Sequence, residues 1–159
     1  MKFFQTFDIA ASGMSAEQFR MNVISENIAN ANTSKTEAGT PYQRQVAMVS
    51  PQMKAEFESD FATASFDIDL NKDPVKFHGG GVKVQGIEKD QSDYRWVYDP
   101  GNPNAEKDGP HKGYVAMPNV NIIQEMTTMI QASRAFEANA TTVESAKAMA
   151  MKALEIGKG

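Results

Sequence analysis

The sequence predicts an α+β protein: long N- and C-terminal helices form a coiled-coil-like helical bundle, with a small β-rich middle region between them in the chain. Three observations predict it. Apolar residues recur at helical spacing at both ends, all seven prolines fall between Pro41 and Pro118, and 23 of the 36 Asp, Glu, Lys and Arg residues fall between positions 34 and 118. Proline breaks helices and charge stays in water, so both partition the chain into helical ends and a loop-rich middle. The division is 1–33, 34–117 and 118–159.

The C-terminal segment carries the longest pattern. Steps of three and four give Ile122, Met126, Met129, Ser133, Phe136, Ala140, Val143, Lys147, Ala150 and Leu154, with only Ser133 and Lys147 breaking the apolar series. Pro118 with Asn119 or Asn121 supplies a start signal, and Gly157 stands where a left-handed C-cap is expected. At roughly 1.5 Å per residue the helix is about 50 Å long, more than a domain of this size covers with its own core. Part of the stripe must meet another helix, in this chain or in a neighbouring copy.

Residues 1–33 supply such a helix, with Phe3, Phe7, Ala10, Met14, Glu17, Met21, Ile24 and Ile28 on one side. Its end is predicted within Asn27-Ile28-Ala29-Asn30-Ala31-Asn32-Thr33, because asparagine tolerates the left-handed conformation and competes locally for backbone groups. Two readings stand side by side. The asparagines form a helix terminus, or Asn27 and Asn30, three apart on one face, hydrogen-bond a neighbouring helix.

In the middle, a turn at Gly39-Thr40-Pro41 precedes a strand over Tyr42–Val49. Ser50-Pro51 then reads as a helix start, and the spacing of Met53, Phe57 and Phe61 predicts a short helix over 51–64. Gly79-Gly80-Gly81 leads into a strand over Val82–Ile87, and Tyr94–Tyr98 forms another before the turn-rich run Asp99–Pro103. One or two twisted hairpins follow from this.

Composition narrows the function. A net charge of −4 with both signs interspersed gives no nucleic-acid-binding face. The absence of cysteine removes disulfides and thiolate metal sites. No run of about 18 apolar residues provides for membrane insertion. Met1-Lys2-Phe3-Phe4 is interrupted by Gln5, Thr6 and Asp8 before a signal-peptide core can form, so export would have to use a route that reads no cleaved signal.

Chemistry finds few players. Gly79–Gly81 is followed by a strand, whereas a phosphate loop needs a helix N-terminus there. Asp67, Asp69, Asn71 and Asp73 have the alternation that opens a calcium loop, but Lys72 and His78 occupy the places of its glycine and bidentate glutamate. His78 and His111 have no metal-ligand spacing around them. The expectation is a protein with no catalytic residues, cofactor or metal, its ten methionines serving as adaptable packing.

The two ends resemble the rod, hook and hook-associated axial proteins of the bacterial flagellum. The N-terminal signature is Ser25-Glu26-Asn27-Ile28-Ala29-Asn30-Ala31-Asn32-Thr33. Phe7-Asp8-Ile9-Ala10-Ala11-Ser12-Gly13-Met14, Arg20–Ile24, Gly81–Val84, Gly113–Val120 and the block from Glu125 to Asn139 narrow the likeness to the proximal rod subunits. Residues 52–78 are longer and more acidic than the usual connecting segment, and Pro110-His111-Lys112 intrudes before Gly113.

The resemblance implies a structural subunit of the periplasmic drive shaft that transmits torque. It would pass through the flagellar type III export channel and polymerise with copies of itself and other rod proteins. Membrane-ring and export-gate components of the basal body are its further implied partners. The expected contact residues are Met14, Met21, Ile24 and Ile28 facing Met126, Met129, Phe136 and Val143, within or between subunits, with Asn27, Asn30 and Asn139 satisfying polar groups along the seam. The alternative from another class is a soluble coiled-coil adaptor or secretion chaperone, which would be helical and dimeric by itself.

Overall fold

The computed structural model describes residues 2–54 and 78–157. Its elements are α1 (Lys2–Ala29), β1 (Gln45–Lys54), β2 (His78–Lys89), β3 (Arg95–Tyr98), β4 (Tyr114–Met117) and α2 (Ile122–Ile156). The two long terminal helices pack on one another, and two antiparallel two-stranded sheets, β1-β2 and β3-β4, occupy the middle. The α+β architecture predicted from the sequence is the one observed.

The helices run antiparallel, since Asn27 near the end of α1 reaches Glu125 near the start of α2, while Gly13 lies against Asn139. Small residues line the seam. Ala10 and Ala16 of α1 and Ala132 and Ala146 of α2 are all buried, and a methyl group added at Gly13 would sit 2.8 Å from the Asn139 amide nitrogen. Such residues let the backbones approach closely and leave little volume to fill. Val23 and Ile24 are the large apolar side chains of α1 that are buried.

The buried side of α2 is turned slightly from the stripe read off the sequence. Met129, Ser133, Phe136, Ala140, Val143 and Ala150 are part-buried as that stripe requires, but the fully buried residues are Glu125, Ala132 and Ala146, while Met126 and Lys147 are exposed. Weighting the pattern by side-chain size favours methionine over glutamate and overlooks alanine. The two interruptions at Ser133 and Lys147 disappear once the face is drawn through Ala132 and Ala146.

Capping matches the N-terminal expectation. The Asn121 side-chain oxygen accepts hydrogen bonds from the backbone N–H groups of Ile123 and Gln124, so Asn121 is the N-cap. Gly157 is the C-cap, but at φ −78° and ψ −9° it is right-handed, contrary to the left-handed expectation. Its N–H reaches the Ala153 carbonyl, which satisfies the terminus without a reversal.

β1 and β2 form the larger hairpin, packed on α1. Residues 51–54 are its last turn-free stretch of strand and not the start of a helix: Pro51 pairs opposite Val82 beside a bulge, where a missing N–H is tolerated in a two-stranded sheet. The remainder of the helix predicted over 51–64 lies outside the described residues, as does the acidic run 67–73. Gly86 and Gly81 of β2 fall at the two irregularities of the ladder with φ of 151° and 92°. At Gly81 the strand also meets α1, where the Val82 N–H donates to the Ser12 hydroxyl at 3.1 Å.

β3 pairs with β4, a strand that the alternation in the sequence did not reveal. Trp96 stacks on His111 with centroids 4.0 Å apart and planes 7° from parallel, and Tyr98 meets Tyr114 edge-on. The intruding Pro110-His111-Lys112 segment thus folds back over its own hairpin. Among the described residues, no Cα of β3 or β4 lies within 8 Å of one in either helix or in the other sheet.

Candidate functional site

Where the ends of α1 and α2 meet the middle region, side chains from four parts of the chain form one polar clasp. Asn27 is fully buried and makes every hydrogen bond its amide allows. Its nitrogen donates to the Gln45 carbonyl at 2.8 Å and to Glu125 Oε2 at 3.0 Å, while its oxygen accepts from the Gln45 N–H at 2.8 Å and the Tyr42 hydroxyl at 2.9 Å. Helix α1 is thereby tied to the first residue of β1 and to α2 at once.

Glu125, also fully buried, is the second centre. The Arg44 guanidinium brings Nε and Nη2 each to 2.8 Å from Glu125 Oε1, and its Nη1 lies 3.5 Å from Asp90 Oδ2. A carboxylate in this position needs both the cation and the amide to replace lost water. Asn119 completes the clasp: its oxygen accepts from the Arg44 N–H at 2.8 Å, and its nitrogen donates to the Asp90 carbonyl and to Ser92. Among the described residues no buried side-chain polar atom lacks a partner.

Two ionisable groups of the clasp respond to it. Burial, with the nearby Glu26 and Glu125 carboxylates, raises the Tyr42 phenol above its ordinary value, which keeps its proton available for Asn27. Hydrogen bonds from the Ser92 hydroxyl and backbone, with a smaller contribution from Arg44, hold the Asp90 carboxyl below the usual range. Among the described residues no group of three or more His, Asp or Glu side chains is gathered as a metal site.

The predicted contact residues separate into three groups. Ile24 is buried, and Met14, Met21, Ile28, Met129, Phe136 and Val143 are part-buried. Asn27 hydrogen-bonds the partner helix, as the second reading of the asparagine run expected of it. Asn30 serves the local terminus instead, donating to the Glu26 carbonyl and accepting from Thr33, so the two readings of the asparagine run hold at different residues. Met126 is 54 % exposed and belongs to the outer side of α2.

Over the first turns of α2 that outer side is apolar. Ile123, Met126 and Ile130 follow one another at helical spacing and are 78 %, 54 % and 55 % exposed. Counting residues from either cross-helix contact puts Ala150 level with the first residue of α1, so the last turns of α2 extend past it. Met151, Leu154 and Ile156 stand exposed there, as does Met149 just before that level. Sequence reasoning missed Glu125, Arg44 and Tyr42; the available signal was an acidic residue one turn from Met129 on the side that Ala132 and Ala146 share.

Comparison with known proteins places this geometry. Residues 7–34 match the family described as Flagella basal body rod protein, and residues 111–156 match Flagellar basal body rod FlgEFG protein C-terminal. The chain is 41 % identical over 159 residues to flagellar basal-body rod protein FlgC of Borreliella burgdorferi, covering 100 % of both. It is 38 % identical to that of Bacillus subtilis over 162 residues, and 33 % identical to that of Salmonella typhimurium over 158; each alignment covers 99 % of this chain and 100 % of the relative. The class is therefore a flagellar rod subunit. The chain belongs to the FlgC family of flagellar basal-body rod proteins, structural subunits of the proximal rod and not enzymes. Asn27 lies within the first matched segment and Asn119 and Glu125 within the second.

Proposed function

We propose that the chain polymerises into the proximal rod through its terminal helices, contacting copies of itself and other rod subunits, and that the resulting shaft transmits torque. The observation that carries this reading is the apolar outer side and overhanging tail of α2. Covering a large apolar side chain contributes about 1.5–3 kcal/mol, and Ile123, Met126, Ile130, Met149, Leu154 and Ile156 all wait to be covered. A contact between such a flank and a different surface of the next subunit does not close on itself, and its repetition gives a helical tube.

Export without a cleaved signal, through the flagellar type III channel, and contact with membrane-ring and export-gate components complete the proposal. Among the described residues no helix is long and apolar enough to cross a membrane, and export of an unfolded chain would leave the helices to pair after passage. The test is Ile123→Asp with Met126→Asp. Both side chains face away from α1, so the purified variant should keep its circular dichroism while rods fail to form and cells lose motility. Normal rods from the double variant would overturn the proposal.

A further inference from the structure

The clasp has a property that packing alone does not supply. Along the seam, Ala132, Asn139 and Ala146 are spaced seven apart, and Gly13 sits against the middle one. A slide of one helix by seven residues, about 10 Å, would place Ala132 or Ala146 opposite Gly13, and either is small enough to fit. The small-residue seam therefore tolerates more than one register. The polar groups do not, because the same slide would leave the buried Glu125 carboxylate without Asn27 and Arg44 and would break the Arg44–Asn119 bond.

The division of contacts makes register matter beyond the helices. α1 carries the β1-β2 hairpin, while β4 leads through Pro118–Asn121 straight into α2, and among the described residues no Cα of the β3-β4 hairpin or of α2 lies within 8 Å of one in β1 or β2. The chain thus comprises two bodies. Besides the seam and the short stretch of chain between β2 and β3, they are joined through the clasp, where Asn27 and Arg44 of the first body meet Glu125 and Asn119 of the second and Asn119 also bonds Asp90 and Ser92, and by an exposed hydrogen bond from Asn104 to Ser34.

We propose that Glu125 and Arg44 are positioning residues that fix one register of α1 against α2 and one angle between the two hairpins. Their consequence for assembly rests on the polymerisation reading: a subunit with several registers presents its outer apolar flank at several angles to its neighbours. Their effect on geometry does not depend on that reading.

The chain contains no cysteine, so spin labels can be placed cleanly. One pair at exposed sites, Ala11→Cys with Glu137→Cys, reports the helices, and another, Lys83→Cys with Val97→Cys, reports the hairpins. The test variant is Glu125→Leu combined with Arg44→Met, which removes both charges together and leaves no buried ion unpaired. In the purified full chain, pulsed dipolar spectroscopy should give one narrow distance for each pair. The double variant should keep its helical circular dichroism but gain a second helix-pair distance and a broad hairpin-pair distribution. Arg44→Lys with Glu125 retained, which keeps a cation donating to the Glu125 carboxylate and leaves the Asn27 bond in place, should keep the single narrow distances.

Narrow, unchanged distances in the double variant would overturn the proposal. So would a broad distribution in the unsubstituted chain, or an Arg44→Lys variant as broad as the double one. Loss of helical signal in the double variant would make the pair a stabilising contact and would overturn it too. Rod assembly by the unsubstituted chain is scored separately, so failure of polymerisation and failure of the lock give different results.

Discussion

The two ends of α2 are opposites. At its beginning, every buried polar atom finds a partner within the chain, and Glu125 is held by α1 and by Arg44 on the approach to β1. At its far end, Leu154 and Ile156 are 67 % and 82 % exposed, past the level of the first residue of α1. Helix propensity is higher at the far end, where Ala, Met, Lys and Leu stand in place of the β-branched Ile122, Ile123, Thr127, Thr128 and Ile130, so the contrast lies in the partner and not in the helix. One end is specified by directional bonds that only a single arrangement satisfies, and the other by apolar area that any complementary surface can cover. A subunit built this way fixes its own internal geometry while leaving its adhesive end for another molecule.

The sharpest way to break the contrast is at Asn27. Asn27→Leu leaves the Gln45 N–H and C=O and the Tyr42 hydroxyl unpaired and takes one donor from Glu125. Each buried unsatisfied group costs about 1–3 kcal/mol, so the variant should lose on the order of 3 kcal/mol, read as a lowered urea midpoint with an unchanged slope. A loss below about 1 kcal/mol would show that water enters the clasp freely.

Gly81→Ala comes next and probes the other attachment of α1. At φ 92° a side chain is strained, and a Cβ there would lie well inside contact distance of the Ser12 hydroxyl. A cost of about 1–3 kcal/mol is expected, and amide exchange should rise in β1 and β2 before it rises at the α1–α2 seam.

How much of this was legible follows from which forces leave a periodic trace. The helices, the antiparallel hairpins and the N-cap at Asn121 were readable because spacing, proline placement and capping residues act locally. β4 was not, since four residues at Tyr114–Met117 are too few for alternation to register. The strand over 51–54 was hidden because proline before a helical spacing of Met53, Phe57 and Phe61 imitates a helix start. Asn27 was legible as a cross-helix donor from its place in the asparagine run, but its acceptor was not. Glu125, Arg44 and Tyr42 are separated by up to 83 residues and meet only in three dimensions. No local pattern marks a carboxylate whose burial depends on a cation that far away.

Tyr42 gives a smaller and pH-dependent test. Its phenol is raised in the folded chain, so its contribution to stability is complete below the ordinary tyrosine value and is lost as pH rises from there through the folded value. Tyr42→Phe should cost about 1 kcal/mol at neutral pH and should flatten that alkaline decline in Tm. Asp90 has the opposite sign: its lowered carboxyl contributes above the ordinary carboxylate range and loses that contribution as pH falls through the folded value. Asp90→Asn should therefore flatten the acid limb, and an acid limb identical to that of the unsubstituted chain would show that the Ser92 contacts contribute nothing in solution.

The smallest effect on the isolated chain is expected where the effect on assembly is large. Leu154→Asp alters a side chain that is 67 % exposed beyond the start of α1, so the Tm of the purified protein should move by less than the equivalent of about 0.5 kcal/mol. In the rod, the same change removes about 1.5–3 kcal/mol of apolar burial and demands desolvation of a new carboxylate. At 1.4 kcal/mol for each factor of ten, the subunit's affinity for its neighbour should fall by roughly tenfold or more. Leu154→Met, which keeps the apolar volume, should assemble normally. A destabilised monomer with intact rods would reverse the assignment, making the tail part of this chain's own core and leaving the outer flank at Ile123, Met126 and Ile130 as the remaining adhesive surface on α2.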